Sequence, residues 1–175
     1  MRYAAFLRAV NVGRNHRVTS AELKEIFEGA GAEEVATFRT SGNVVFEAPR
    51  DMGPKIEKAL ESTLGYDVGV FTRTAAELAE IAKSRPFKPA QVEASKGKVQ
   101  VSMLSAKPSA AKQKQVLALA TDDDLLAFGK RELYWLPSGG TLESTLDRKA
   151  IDKLLGPTTM RTKGTVEQLT AKFFA

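Results

Sequence analysis

Val35-Ala36-Thr37-Phe38-Arg39-Thr40-Ser41-Gly42-Asn43-Val44-Val45-Phe46-Glu47 is the stretch on which the fold turns. Its flanks, 35–39 and 43–47, predict strands rich in β-branched and aromatic residues. Between them Thr40-Ser41-Gly42 predicts a tight turn, because these residue types adopt special dihedrals or bond their own backbone. The product is a hairpin. Upstream, Tyr3 to Val10 reads as a short, largely apolar strand. Thr19-Ser20-Ala21-Glu22 then forms a capping box, in which the hydroxyl accepts the amide three residues on and the Glu reaches back. Leu23, Ile26, Phe27 and Ala30 follow at helical spacing. Downstream, Pro54 opens a second helix with Ile56, Leu60 and Leu64 inward, Gly65 ends it, and Asp67 to Arg73 is a strand. The order is β-α-β-β-α-β.

The same order then recurs. Thr74-Ala75-Ala76-Glu77 caps a trailing helix carrying Leu78 and Ile81, which stops before Pro86. Residues 86–97, with two prolines and Ser95-Lys96-Gly97, read as a linker. Lys98 to Leu104 alternates as a half-buried strand, and Pro108 to Ala120 is helical. Asp124 to Phe128 and Glu132 to Leu136 are strands around Gly129-Lys130-Arg131, a second hairpin. Ser144 or Thr145 caps a helix with Ile151, Leu154 and Leu155 inward, Thr158 to Thr162 is a strand, and a terminal helix carries Val166, Leu169 and Phe173. The halves repeat in pattern, not in letters. A β-α-β-β-α-β unit has a standard solution, the ferredoxin-like split β-α-β. The expected fold class is therefore α+β, two tandem ferredoxin-like β-α-β-β-α-β halves packed together. The first half with its trailing helix is 1–85, the linker 86–97, and the second half with its terminal helix 98–175. A shared mixed sheet is the rival topology.

The 175 residues are 43% hydrophobic and 27% charged, with no Cys and one His. That apolar content excludes a disordered chain. Without Cys there is no disulfide, thiolate metal site or cysteine nucleophile, a usage compatible with the cytoplasm, where the protein is expected. No apolar run approaches the roughly 20 residues of a membrane span, and the amino terminus has no signal-peptide layout. One His and scattered acids give no metal-ligand set; Asp122-Asp123-Asp124 reads as a solvated turn before a strand. No Walker or Gly-x-Gly-x-x-Gly motif occurs, so no cofactor is expected. The net charge of +5 comes from alternating blocks: Arg2, Arg8, Arg14 and Arg17 stand without an acid in 1–17, and 83–115 holds eight basic residues against Glu93 alone. Such polarity attracts an anion to one side of a molecule. Solvated helix faces and a basic linker account for the same blocks.

Two segments combine donors with tight backbone. Leu7-Arg8-Ala9-Val10-Asn11-Val12-Gly13-Arg14-Asn15-His16-Arg17 runs from the first strand toward the capped helix, a place where loop and helix amides hold anions. Gly13 lets the main chain approach a ligand, and Arg8, Asn11 and Arg14 supply donors. Arg39, Ser41 and Asn43 of the hairpin form the second group, and Arg161 near the last strand is a further guanidinium. An ordinary βα loop with solvated arginines accounts for the first segment and a tight turn alone accounts fully for the second, and Arg161 suits an anion or a carboxylate partner alike. The lone Trp135 reads as core. The functional expectation is a binding module for an anionic ligand: a nucleotide, a phosphorylated metabolite or RNA. The alternatives are a small-molecule enzyme with an electrostatic Arg/Asn/Ser site and a self-associating structural protein.

These segments, in this order, resemble a bacterial family of unknown function, DUF1697. The likeness runs through Leu7-Arg8-Ala9-Val10-Asn11-Val12-Gly13, Ser41-Gly42-Asn43-Val44-Val45-Phe46, Glu132-Leu133-Tyr134 with Pro137-Ser138-Gly139, and Arg161 with Thr165-Val166. Where the family pattern often reads Leu-Arg-Gly-Ile-Asn-Val-Gly-Gly, this chain has Ala9, Val10 and Arg14. The resemblance implies two ferredoxin-like parts and no particular activity.

Overall fold

The computed structural model describes residues 1–10, 17–39 and 42–175. The chain forms two compact units, Met1–Ala79 with Leu169–Ala175, and Glu80–Gln168.

In the first unit, β1 (Arg2–Arg8), α1 (Ser20–Gly29), β2 (Glu33–Thr37), β3 (Asn43–Glu47), α2 (Gly53–Leu64) and β4 (Gly69–Thr74) follow in the expected order. The strands make an antiparallel sheet ordered β2-β3-β1-β4, the split β-α-β arrangement. The capping box at Thr19 and Glu22 is present, and Gly65 closes α2 in the left-handed conformation. Tyr3, Ala5, Leu7, Val44 and Phe46 point to the helices and pack in one core with Phe27, Ile56 and Leu60. The residues between them are buried too: Ala4, Phe6, Val45 and Arg73 on the opposite face are at most 2% exposed. In the full chain the central positions on both faces of this sheet are therefore buried. The sequence signal is the unbroken apolar run Tyr3-Ala4-Ala5-Phe6-Leu7, which lacks the alternation of a one-sided strand.

The trailing helix α3 (Ala75–Lys83) leads from the first unit to the second, and 86–97, expected as a linker, holds a short helix α4 (Pro89–Ala94). The second unit contains β5 (Gln100–Met103), α5 (Ala110–Leu117), β6 (Asp124–Phe128), β7 (Glu132–Pro137), α6 (Arg148–Leu155) and β8 (Thr159–Thr162). Its sheet is ordered β6-β7-β5-β8, the same as the first. The last helix, α7 (Lys163–Phe173), carries the chain back into the first unit. Leu133 and Trp135 pack with Val116, Leu146 and Ile151, so Trp135 is core as expected. On the other face Val101, Met103, Tyr134 and Leu136 are buried as well.

Two local expectations are corrected. Asp124 is not part of a solvated turn: it begins β6 at 1% exposure, accepting from Trp135 Nε1 at 2.9 Å and Ser144 Oγ at 2.6 Å. Its distant donors satisfy a carboxylate that burial would otherwise penalise. The cap of α6 is Asp147, which accepts from the Ala150 amide at 3.1 Å; the Ser144 hydroxyl instead donates to Asp124 and accepts from the Leu146 amide ahead of the helix.

Candidate functional site

Antiparallel pairing of Phe6 with Asn43 places the end of β1 beside the start of β3. The loop after β1 and the β2–β3 hairpin thus leave the same end of the first sheet. The described residues meet there directly. The Leu7 amide donates to the Gly42 carbonyl at 2.8 Å. Gly42 has φ of 74°, and a Cβ on it would lie 2.7 Å from Val10 Cγ2 and 3.0 Å from Leu7 Cβ. Only glycine allows that approach without displacing the strand end.

Two non-glycine residues beside this contact also occupy the left-handed region, Ala9 at φ 71° and Arg39 at φ 59°. Such conformations cost energy and persist where surrounding structure enforces them. At Arg39 the effect is to end β2 at Thr37, two residues short of the expected strand. Arg8 is the exposed last residue of β1, paired with Gly69 of β4. Arg39 is exposed, with its guanidinium carbon 5.4 Å from the Phe38 ring centroid. Exposed Arg17 precedes Val18, which is buried, and the Thr19 cap. The same end receives the α2–β4 connection, where burial first, and the Glu22 carboxylate second, raise the Tyr66 phenol above its ordinary pKa.

Asn43 serves differently from an exposed donor. It is 2% exposed, and its Nδ2 donates to the Phe38 carbonyl at 3.1 Å while the Phe38 amide donates to its own carbonyl at 2.9 Å. The side chain braces the hairpin that presents Arg39. Asn11, Gly13, Arg14 and Ser41 lie outside the described residues. Arg161 belongs to the second unit, on β8. Its Nη1 donates to Thr159 Oγ1 at 2.8 Å and the Met160 carbonyl at 2.9 Å, and burial pushes its pKa down to about 10.

Near this end of the sheet Arg8, Arg17 and Arg39 supply exposed guanidinium donors, and the Glu22 carboxylate lies beside Tyr66. The guanidinium chemistry is suited to holding an anion. Among the described residues no three His, Cys, Asp or Glu side chains gather to hold a metal ion. No described helix is long and apolar enough to cross a membrane. Sequence reading missed Phe38, Lys172 and Phe173, which come together beside Arg39. The Phe38 and Phe173 rings meet edge to face at 6.1 Å, and the Lys172 ammonium lies 5.9 Å from the Phe38 centroid. The phenylalanines read separately as a strand residue and a helix-stripe residue, and nothing local in the sequence signals that they meet.

A family model described as "Protein of unknown function (DUF1697)" matches residues 1–134. Among solved structures, that of the conserved bacterial protein SP0830 from Streptococcus pneumoniae is similar over 99% of this chain and 98% of its own. The TM-score is 0.77 and the identity 19%, a likeness of fold. No curated protein matches the chain.

Proposed function

The chain belongs to the DUF1697 family of proteins of unknown function, and we propose that its first half, residues 1–85, is a binding module for an anionic ligand. The observation that carries this reading is the junction of the β1 end with the hairpin bend, through the Leu7–Gly42 hydrogen bond of 2.8 Å. Exposed Arg8 ends β1 and exposed Arg39 follows β2 in the hairpin, at the end of the sheet that precedes the capped start of α1. Backbone amides at a helix start and a loop favour negative charge, and guanidinium groups add charge-assisted hydrogen bonds. Arg8, Asn11, Gly13, Arg14, Arg39 and Ser41 hold the ligand in this proposal, and Asn43 fixes the bend. Arg161, on β8 of the second unit, donates to Thr159 Oγ1 and the Met160 carbonyl. The proposal places the ligand at this end of the sheet rather than on a sheet face of the kind by which related folds stack RNA bases.

Thermal-shift titration with pyrophosphate at low ionic strength tests the proposal. A ligand of the native state raises the melting temperature, and added salt erodes the shift by screening. Arg8→Gln and Arg39→Gln are each expected to weaken binding by about tenfold, the loss of one charge-assisted hydrogen bond. A melting temperature indifferent to phosphate, pyrophosphate and nucleotides at low salt overturns it.

A further inference from the structure

The hairpin that presents Arg39 also presents an aromatic ring. Phe38 is half-buried in the hairpin stem, and the half-buried ring of Phe173 stands against it edge-on, with an interplanar angle of 86°. Two exposed cations adjoin the pair: the Arg39 guanidinium 5.4 Å from the Phe38 centroid, and the Lys172 ammonium 5.9 Å from Phe38 and 5.4 Å from Phe173. All four residues lie in the first unit. Arg2 anchors the far side, its Nη1 donating to the Phe173 carbonyl at 2.8 Å and its Nη2 to Glu47 at 2.8 Å. Glu47 is thereby occupied, and Lys172 makes no ion pair among the described residues.

We propose that Phe38 and Phe173, with Arg39 and Lys172, form a stacking platform for a nucleobase, so that the ligand of this end of the sheet is a nucleoside phosphate. The inference rests on the anion-binding reading above and adds the base to the phosphate. Half-exposed rings whose faces are shared with cations suit this task. A base stacks on an aromatic face whatever its identity, and a cation resting on that face can turn to the neighbouring phosphate. An apolar anchor alone would not explain two cations brought to the same pair of rings from positions 39 and 172. The nucleoside phosphate has two sources, a free nucleotide or a single strand, and the experiment separates them.

The test measures binding of the full chain to a fluorescein-labelled single-stranded oligo-U, with competition by AMP and by pyrophosphate. The wild-type chain is expected to prefer AMP or the oligonucleotide over pyrophosphate. Phe38→Leu should weaken base-containing ligands by about tenfold while leaving pyrophosphate within a factor of about two. Lys172→Gln, at an exposed position that does not threaten folding, should weaken them about threefold and reduce the salt slope for the oligonucleotide by about one. Displacement of the oligonucleotide by AMP assigns the free nucleotide as the source; resistance to AMP assigns the single strand; either supports the platform. Pyrophosphate binding with no preference for a base, or a preference that survives both substitutions, overturns the platform and leaves the anion site standing. Binding of AMP and oligonucleotide that is lost in Phe38→Leu and Lys172→Gln but indifferent to Arg8→Gln supports the platform and removes the anion site at the β1 end.

Discussion

The two units repeat one framework and differ where it is decorated. Their sheets have the same strand order, and each last strand carries an arginine in the same register, Arg73 opposite Ala4 and Arg161 opposite Val101. In both, the arginine Nη1 donates to the carbonyl of the preceding residue, at 2.8 Å in one and 2.9 Å in the other. Each is followed by a threonine that caps the next helix, Thr74 toward the Glu77 amide and Thr162 toward the Thr165 amide. The first connection breaks the likeness. Residues 9–19 link β1 to α1, whereas only 104–109 link β5 to α5. Among the described residues, Ala9, Arg39 and Gly42 take positive φ around the first unit's sheet end, and in the second unit only Gly156 does, at the close of α6. The shared parts hold each unit together, while the strained, arginine-bearing connections of the first unit are where the proposed ligand site lies.

The contrast breaks first at the hairpins. Gly42→Ala should cost about 3 kcal/mol, the sum of a left-handed penalty and overpacking against Val10 and Leu7. Gly129→Ala in the second hairpin should cost about 1 kcal/mol or less, since its added Cβ meets chiefly the Glu132 carboxylate end and the Tyr134 ring edge at 3.1 and 3.2 Å. Urea unfolding measures both, and equal costs would mean that the first bend is not specially constrained. Next come the carboxylates that tie each unit's connections. Asp124→Ala strands the buried Trp135 donor and the half-buried Ser144 hydroxyl and should cost about 3 kcal/mol. Asp51→Ala, losing the exposed carboxylate that accepts from the Gly53 amide and Thr72 hydroxyl, should cost about 1 kcal/mol. A reversed ranking in the same assay contradicts the burial argument.

Smaller effects sharpen the comparison. Ala9→Gly removes a left-handed alanine and should raise stability by about 0.5 kcal/mol, the strain relieved less the added chain entropy. The resembling family pattern often has glycine at this place. A loss of stability in that variant would show that Ala9 is not strained. Glu22→Gln removes the second cause of the raised Tyr66 pKa, so the phenol should titrate at lower pH, read from phenolate absorbance. An unmoved titration would separate Tyr66 from the start of α1.

Much of the framework was legible because its signals are local. Thr19 with Glu22 and Thr74 with Glu77 announce helix starts within four residues, and Gly65 announces an end. What stayed hidden depends on distant partners. Asp124 looks like a surface acid until Trp135 and Ser144 arrive to bond it, and Asp147 competes with Ser144 and Thr145 for the same cap. Arg8 and Arg39 were legible as candidates by charge and loop position, and Gly42 as a turn residue. That Gly42 packs on Val10 follows from strand pairing, which no single segment encodes. Phe38 and Phe173, far apart in the chain, were hidden for the same reason.

Backbone amide NMR during a pyrophosphate titration at low ionic strength puts the two strand ends in direct competition. Signals of Arg8, Ala9, Val10, Arg39 and Gly42 should move together and saturate, while those of Leu104 to Ser109 and Gly129 to Arg131 stay in place. Shifts confined to the second unit, or no saturable shift anywhere, would contradict an anion-binding first half.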